Sequence, residues 1–297
     1  MLFVANVVEK AITQTLVYAD LFEYPLARLE IWRFLISPAS YSQKQVDKAL
    51  LYFSSKEGYY FLKGRKLIVD KRQKREKESK KKLQIVKNII MLLRVIPWVT
   101  LIGVSGNLAM NNAVKRDDID FFIITKKSSL WTTRMFVVFI LKALGKHRGK
   151  NQSSVSDKIC INMLVDESML TLPKSKQNLY TAHEVVQMKS VFERNNTYQK
   201  FLAENSWVEG FLPNSLVGIR NQSPRPRLDS ARLGEAGLIS HPPFLLEWFA
   251  KKLQLWYMRK NRSIEYISDS MLAFHPKDYT YSVLQKYQQR LKRYGKI

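Results

Sequence analysis

The chain has 297 residues, 46% hydrophobic and 25% charged, a profile that excludes a disordered chain and predicts two or three globular domains. Its 49 Lys and Arg against 25 Asp and Glu give a net charge of +24. Such an excess either attracts polyanions (nucleic acid, nucleotides or an anionic membrane surface) or reflects a Lys-rich background. The lone cysteine, Cys160, excludes an internal disulfide and a Cys-based zinc cluster and points to a reducing, cytoplasmic setting.

The first residues, MLFVANVVEKAITQ, lack a basic start and a small-residue cleavage site and do not read as a signal peptide. Residues 1–70 carry three helical patterns. Val8, Ile12, Leu16 and Ala19 form the first; Leu29, Trp32, Phe34 and Leu35 the second. Ser42 is a cap for the third, QKQVDKALLYF. GYYFLKGRKLIVD then reads as two short strands around Lys63-Gly64-Arg65. Three helices and a basic hairpin predict a winged helix-turn-helix, with Gln43, Lys44 and Lys48 directed to a major groove and Lys63 and Arg65 to phosphates.

Residues 71–82, KRQKREKESKKK, hold eight Lys or Arg and two Glu. They read as a solvated helix face, since Leu83, Val86, Ile89, Ile90 and Leu93 continue at helical spacing. The alternative is a basic linker, 71–94, that touches nucleic acid through Lys71 and Arg72.

Residues 95–195 alternate strand and helix. VTLIGVS is a strand, GNLAMNNA a turn and short helix, IDFFIIT a second strand. LWTTRMFVVFILKALG is a helix ended by Gly145. It contains the longest internal apolar run, Met135–Leu141, far short of the roughly 20 residues that span a bilayer. KICINMLV is a third strand and LYTAHEVVQMKSVF a helix, with His183 as an interior histidine. The alternation predicts an α/β (α+β) domain, a mixed sheet flanked by helices. Residues 196–297 read as a C-terminal helical region, interrupted by an exposed loop, NQSPRPRLDSARLGEAG; His275 and Pro276 in FHPKDY mark a turn before the last helix.

The segment that carries chemistry is GVSGNLAMNNAVKRDDIDFFIIT. Alternation along a strand puts Asp118 and Asp120 on one face, within reach of a shared cation. Mg²⁺ suits a few carboxylates completed by substrate phosphates. Gly106 permits close approach of backbone to a phosphate, and the helix after it favours negative charge.

This segment resembles the nucleotidyltransferase superfamily that includes DNA polymerase beta: a strand, Gly-Ser, a short helix, then Asp-x-Asp at the start of a second strand. Here Gly106-Asn107 stands for Gly-Ser and Asp118 and Asp120 for the aspartate pair. VSGNLAMNNAVKRDDIDFFIIT, KICINMLV, AHEVVQMKSVF, WVEGFLPN and AFHPKDY also resemble uncharacterised bacterial nucleotidyltransferase-domain proteins, over roughly residues 85–295. The resemblance implies a nucleotidyltransferase-like fold, a nucleoside triphosphate at Ser105, Gly106, Asn107 and Lys115, and Mg²⁺ at Asp118 and Asp120. It also implies a third carboxylate on the third strand, where this chain carries Asn162. Two functions follow. One is Mg²⁺-dependent transfer of a nucleoside monophosphate to an acceptor hydroxyl. The other is a nucleic-acid-binding regulator or adaptor with a degenerate nucleotidyltransferase domain.

Overall fold

The computed structural model describes residues 2–149, 152, 154–218, 241–259, 266–273 and 279–294. Helix α1 (Leu2–Asp20) is followed by strand β1 (Leu26–Ala27), helices α2 (Arg28–Arg33) and α3 (Gln43–Leu50), and the hairpin β2 (Ser55–Lys56) and β3 (Tyr59–Tyr60). Ser42 caps α3 as expected: its Oγ accepts from the Gln45 amide at 3.3 Å, and the Gln45 side chain accepts from the Ser42 amide at 2.9 Å. The hairpin is displaced from its expected place. Its turn is Glu57-Gly58, both at positive φ, the geometry that a two-residue loop favours. Lys63-Gly64-Arg65 instead forms a turn leading into the next helix.

That helix, α4 (Ile68–Leu93), absorbs the expected linker. Its basic half is neither a solvated face throughout nor a tether. Arg72 is 5% exposed. Its guanidinium donates to Glu30 at 2.7 and 3.0 Å and to Glu76 at 2.8 Å, and lies over the rings of Tyr24 and Tyr59. Arg65 donates to the buried Asp20 at 2.6 Å, and Lys71 pairs with Glu23. Burial of a guanidinium is tolerated only with such partners, so Arg72 is committed to the fold and does not face outward as the sequence suggested, while the half-exposed Arg65 is tied to Asp20. Gln43 is half-buried; Lys44, Lys48 and Lys63 are exposed.

The remainder is a mixed α/β unit. Strands β4 (Val99–Val104), β5 (Ile119–Thr125), β6 (Ile159–Asp166), β7 (Lys189–Glu193), β8 (Tyr266–Ile267) and β9 (Met271–Ala273) form one sheet in the order β7-β4-β5-β6-β9-β8. Strands β5 and β6 are parallel; the other neighbours are antiparallel. The three strands expected around the site therefore share a sheet. The expected helix LYTAHEVVQMKSVF divides: α7 (Leu179–Gln187) ends before Met188, and KSVF belongs to the edge strand β7. The C-terminal region holds helices α8 (Thr197–Glu204), α9 (Phe244–Met258) and α10 (Tyr279–Tyr294), but β8 and β9 extend the sheet. The expected loop at 221–237 and the turn at His275 lie outside the described residues.

Side-chain alternation divides two cores. Ile119, Phe121 and Ile123 face one side with α4, α9 and helix α6 (Leu130–Ala143). Phe122 and Ile124 face the other, where one continuous core takes in α1 to α3, α7, α8 and α10. Residues 1–70 thus share a core with the sheet. Asp118 and Asp120 belong to this second face by the same period of two. Replacing Arg72 by Gln should destabilise the protein by on the order of 3–5 kcal/mol, because two carboxylates are left without their buried partner. Lys71→Gln should cost less than about 1 kcal/mol. Urea unfolding of the two variants checks the contrast; similar small losses would contradict the assignment of Arg72 to the core.

Candidate functional site

Strand β4 ends at Val104. Ser105 follows in extended conformation, and Gly106 opens the four-residue helix α5 (Gly106–Ala109) at φ +62. A Cβ at Gly106 would sit 3.1 Å from Asp120 Oδ2. The turn and the carboxylate are therefore in direct apposition, and the left-handed backbone selects glycine. The Ser105 amide donates to the Asp120 carbonyl at 3.0 Å, which fixes β4 against β5 at this point. Ser105 Oγ is buried and has no hydrogen-bond partner.

The loop between α5 and β5 is held from below by Lys82. This side chain is fully buried, and its ammonium donates to the carbonyls of Lys115 (3.1 Å) and Asp117 (2.8 Å) and to Asp157 Oδ1 (2.7 Å). Three donors meet three acceptors, which makes the buried charge tolerable. Asp117 closes the loop by accepting from the Val114 amide at 3.0 Å and from Asn107 Nδ2 at 3.2 Å. Asn107 is thus exposed but engaged with the loop, while Lys115 projects from the surface with only its carbonyl tied down.

Asp118 and Asp120 are both half-buried. One carboxylate oxygen of each and the sulfur of Cys160 lie within 4.8 Å of one another, the one such group among the described residues. Cys160 is there because it is the register partner of Asp120 across the parallel β5–β6 pair. Asn162, the residue expected in the third position, falls where the register shifts between Phe121 and Phe122, opposite no residue of β5. Cys160 was legible only as a lone cysteine, and nothing in the sequence fixed the register that selects it.

The electrostatics are asymmetric. Burial, then the charges of Asp118 and Glu184, push the Asp120 carboxyl up to about 7. Arg148 pairs with Asp118. It arrives on an extended segment beside β6, where its amide donates to the Ile159 carbonyl at 2.9 Å. Burial pushes the Cys160 thiol up to about 12, so it stays protonated at neutral pH. Burial also raises Glu184, on α7, to about 7. Lys189, at the start of β7 beside Val104, donates to Asn111 Oδ1 at 2.6 Å, and burial holds its amine below the ordinary value. Arg148, Glu184 and Lys189 were not anticipated; Lys189 was hidden by the assignment of its strand to a helix. His183 is interior as expected, stacked on Tyr18 with Nδ1 against the Leu179 carbonyl.

Two carboxylates beside a glycine turn fit Mg²⁺, which takes oxygen ligands and keeps places for phosphate oxygens. The thiol does not fit that ion, since sulfur prefers softer metals. The fit to Mg²⁺ therefore rests on Asp118 and Asp120, with Ser105 Oγ as a further unpaired oxygen. Comparisons with protein-family models, with curated proteins and with solved structures found no match.

The raised carboxyl sets a pH test. In the metal-free fold Asp120 keeps its proton up to about 7, against an ordinary 3.8. Its contribution to stability is therefore present at low pH and lost as pH rises between those values. Glu184 acts in the same sense. Buried His183, pushed down to about 4, acts in the opposite sense below its ordinary 6.5. The comparison of wild type with Asp120→Asn isolates the one carboxyl. In chelator, the variant should gain on wild type by on the order of 3 kcal/mol between about pH 4 and about pH 8. A difference independent of pH, by urea unfolding, would show that Asp120 ionises normally.

Proposed function

We propose that the chain binds a nucleoside triphosphate with Mg²⁺ at the Ser105–Gly106 turn and the Asp118–Asp120 pair, and transfers a nucleoside monophosphate to an acceptor hydroxyl, in the manner of the nucleotidyltransferase superfamily. The observation that carries this reading is the apposition of Gly106 to Asp120, 3.1 Å from an added Cβ to Oδ2. It places a backbone suited to phosphate beside a carboxylate pair suited to a divalent cation. The Mg²⁺ would supply positive charge to the triphosphate. Asp118 and Asp120 would hold it, and Arg148, relieved of Asp118, becomes a phosphate donor. Lys115 and Lys189 add positive charge around the turn. The acceptor oxygen bonds to the α-phosphorus, the bond to the bridging oxygen breaks, and pyrophosphate leaves. Glu184, whose charge acts on Asp120, is the carboxyl this reading assigns to take the hydroxyl proton.

A second reading, nucleotide binding without transfer, is favoured by one observation. No third carboxylate oxygen joins the Asp118–Asp120 group among the described residues; Cys160 stands there instead. In that reading the N-terminal module acts as a winged helix on nucleic acid. Its order of helix, strand, two helices and hairpin supports this, as do Lys44 and Lys48 exposed on α3. The acidic hairpin turn and the internal pairing of Arg65 and Arg72 count against it.

Calorimetric titration of MgATP and MgGTP tests the shared part. Asp118→Asn with Asp120→Asn should lose Mg²⁺-dependent binding by at least about a hundredfold, since charged hydrogen-bonding partners contribute about 1.5–3 kcal/mol each, while Cys160→Ser should bind as wild type. Equal affinity in wild type and the double variant overturns both readings. Incubation with labelled NTP, Mg²⁺ and cell RNA, DNA and protein separates them: label transfer by wild type supports the enzyme. Transfer only by Cys160→Asp, which restores a third carboxylate, assigns the native chain to the second reading.

A further inference from the structure

Helix α9 is built the wrong way round for a helix that packs on a water-facing sheet layer. Two polar side chains stand on its inward face. Glu247 accepts from the Trp131 and Thr132 amides, both at 2.8 Å, and so caps the start of α6 from another helix. Gln254 donates to the Trp131 and Ala250 carbonyls at 2.8 and 3.0 Å. Ala250, Met258 and the partly buried Leu255 supply its apolar contact with the core there. The outward face carries Phe244, Leu245, Trp248, Phe249, Trp256 and Tyr257, all exposed, with Phe244 at 80% and Trp256 at 67%.

The surface continues onto the neighbours of α9 in the same layer. Phe139 of α6 is 69% exposed, and Met91 and Val95 at the end of α4 are exposed as well. A patch of this extent marks a contact surface. Its charge is one-sided. Residues 83–95, 130–144 and 244–259 hold seven Lys or Arg and one acid, Glu247, which is turned inward. Lys251 pairs with Asp269. Lys252 lies over the Trp248 ring at 5.8 Å and Lys142 over Tyr257 at 5.6 Å. Cations are thus interleaved with Trp and Tyr, rather than set apart from them.

We propose that the outer face of the α4–α6–α9 layer rests on an anionic bilayer surface, with α9 lying in the interface. Trp and Tyr suit the headgroup level, where one end of the ring is wet and the other apolar. Lysines beside them keep their stems in the apolar zone and their ammonium groups at lipid phosphates. A protein partner is disfavoured because Lys is depleted in such interfaces. A second copy is disfavoured because two chains of net charge +24 repel. No helix among the described residues is long and apolar enough to cross a membrane, so the contact is peripheral. The layer covers the sheet face opposite to Asp118 and Asp120, which leaves the candidate site turned away from the lipid.

Co-sedimentation with two vesicle types tests this: phosphatidylcholine alone, and an equimolar mixture with phosphatidylglycerol. Wild type should bind the anionic vesicles, more weakly at high salt, with a blue shift of tryptophan emission. Trp248→Ala with Trp256→Ala removes two exposed rings and should leave the melting temperature near wild type while lowering vesicle binding by about tenfold or more. Lys142→Gln with Lys252→Gln should lower anionic binding by about tenfold and leave the weak neutral binding unchanged. Absence of binding to either vesicle overturns the proposal. So does equal binding by the tryptophan variant and wild type, which reports attraction of charge alone. A dimer in sedimentation velocity that the tryptophan variant abolishes, without vesicle binding, assigns the face to a second copy and overturns it too.

Discussion

The buried ammonium of Lys82 is the contact on which the candidate site depends. Its three acceptors come from the loop before β5 and from the loop before β6. It adds a buried charge to the direct bonds between the two segments that deliver Asp118 and Cys160, such as Ser156 Oγ to the Lys115 carbonyl at 2.6 Å and the Ile119 amide to the Lys158 carbonyl at 2.8 Å. Removing one partner of such a buried ionic group costs on the order of 3–5 kcal/mol. The clamp is one rung of a longer ladder on α4. Arg72 and Arg75 engage the N-terminal module. Ser79 Oγ accepts from the Ala113 amide at 3.1 Å, Lys82 holds the loops, and Val86, Ile89, Ile90 and Leu93 enter the core. One helix face thus ties the module, the site loops and the sheet together.

That face was partly legible. Positions 72, 75, 79, 82, 86, 89 and 93 recur every three or four residues, so the apolar stripe of the second half continues in register through the basic half. The charged half hides the stripe, because Lys and Arg are seldom buried. Continuing the period, rather than the hydrophobicity, would have placed Arg72 and Lys82 inside. The strands around the site were legible for the opposite reason: VTLIGV and IDFFIIT are continuous apolar runs bounded by a turn and a loop. The edge strand β7 was not, because KSVF follows α7 with neither Gly nor Pro to mark the break. The hairpin was misplaced because two X-Gly pairs, Glu57-Gly58 and Lys63-Gly64, stand six residues apart, and both glycines have positive φ.

The aspartate pair and the glycine turn follow from local sequence; the third member of the group does not. The family resemblance puts that member at Asn162. The pairing of β5 with β6 puts Cys160 opposite Asp120 and shifts register just beyond it. Register between parallel strands is set by the crossover and by packing on both faces, neither of which is a local signal. The consequence is chemical. A protonated thiol beside two carboxylates would leave a bound Mg²⁺ at most two protein charges, and Arg148 already pairs with one of those carboxylates. Nucleotide binding asks less of such a site than transfer does.

The most direct test of a nucleotide and metal site here is to locate the cation. Crystals grown with Mn²⁺ and a non-hydrolysable ATP analogue would give an anomalous signal at the metal. A peak is expected at the Asp118 and Asp120 carboxylates, with the triphosphate against Ser105 and Gly106 and Arg148 released from Asp118. A nucleotide bound elsewhere, or an ordered nucleotide with no metal at the aspartate pair, would contradict it.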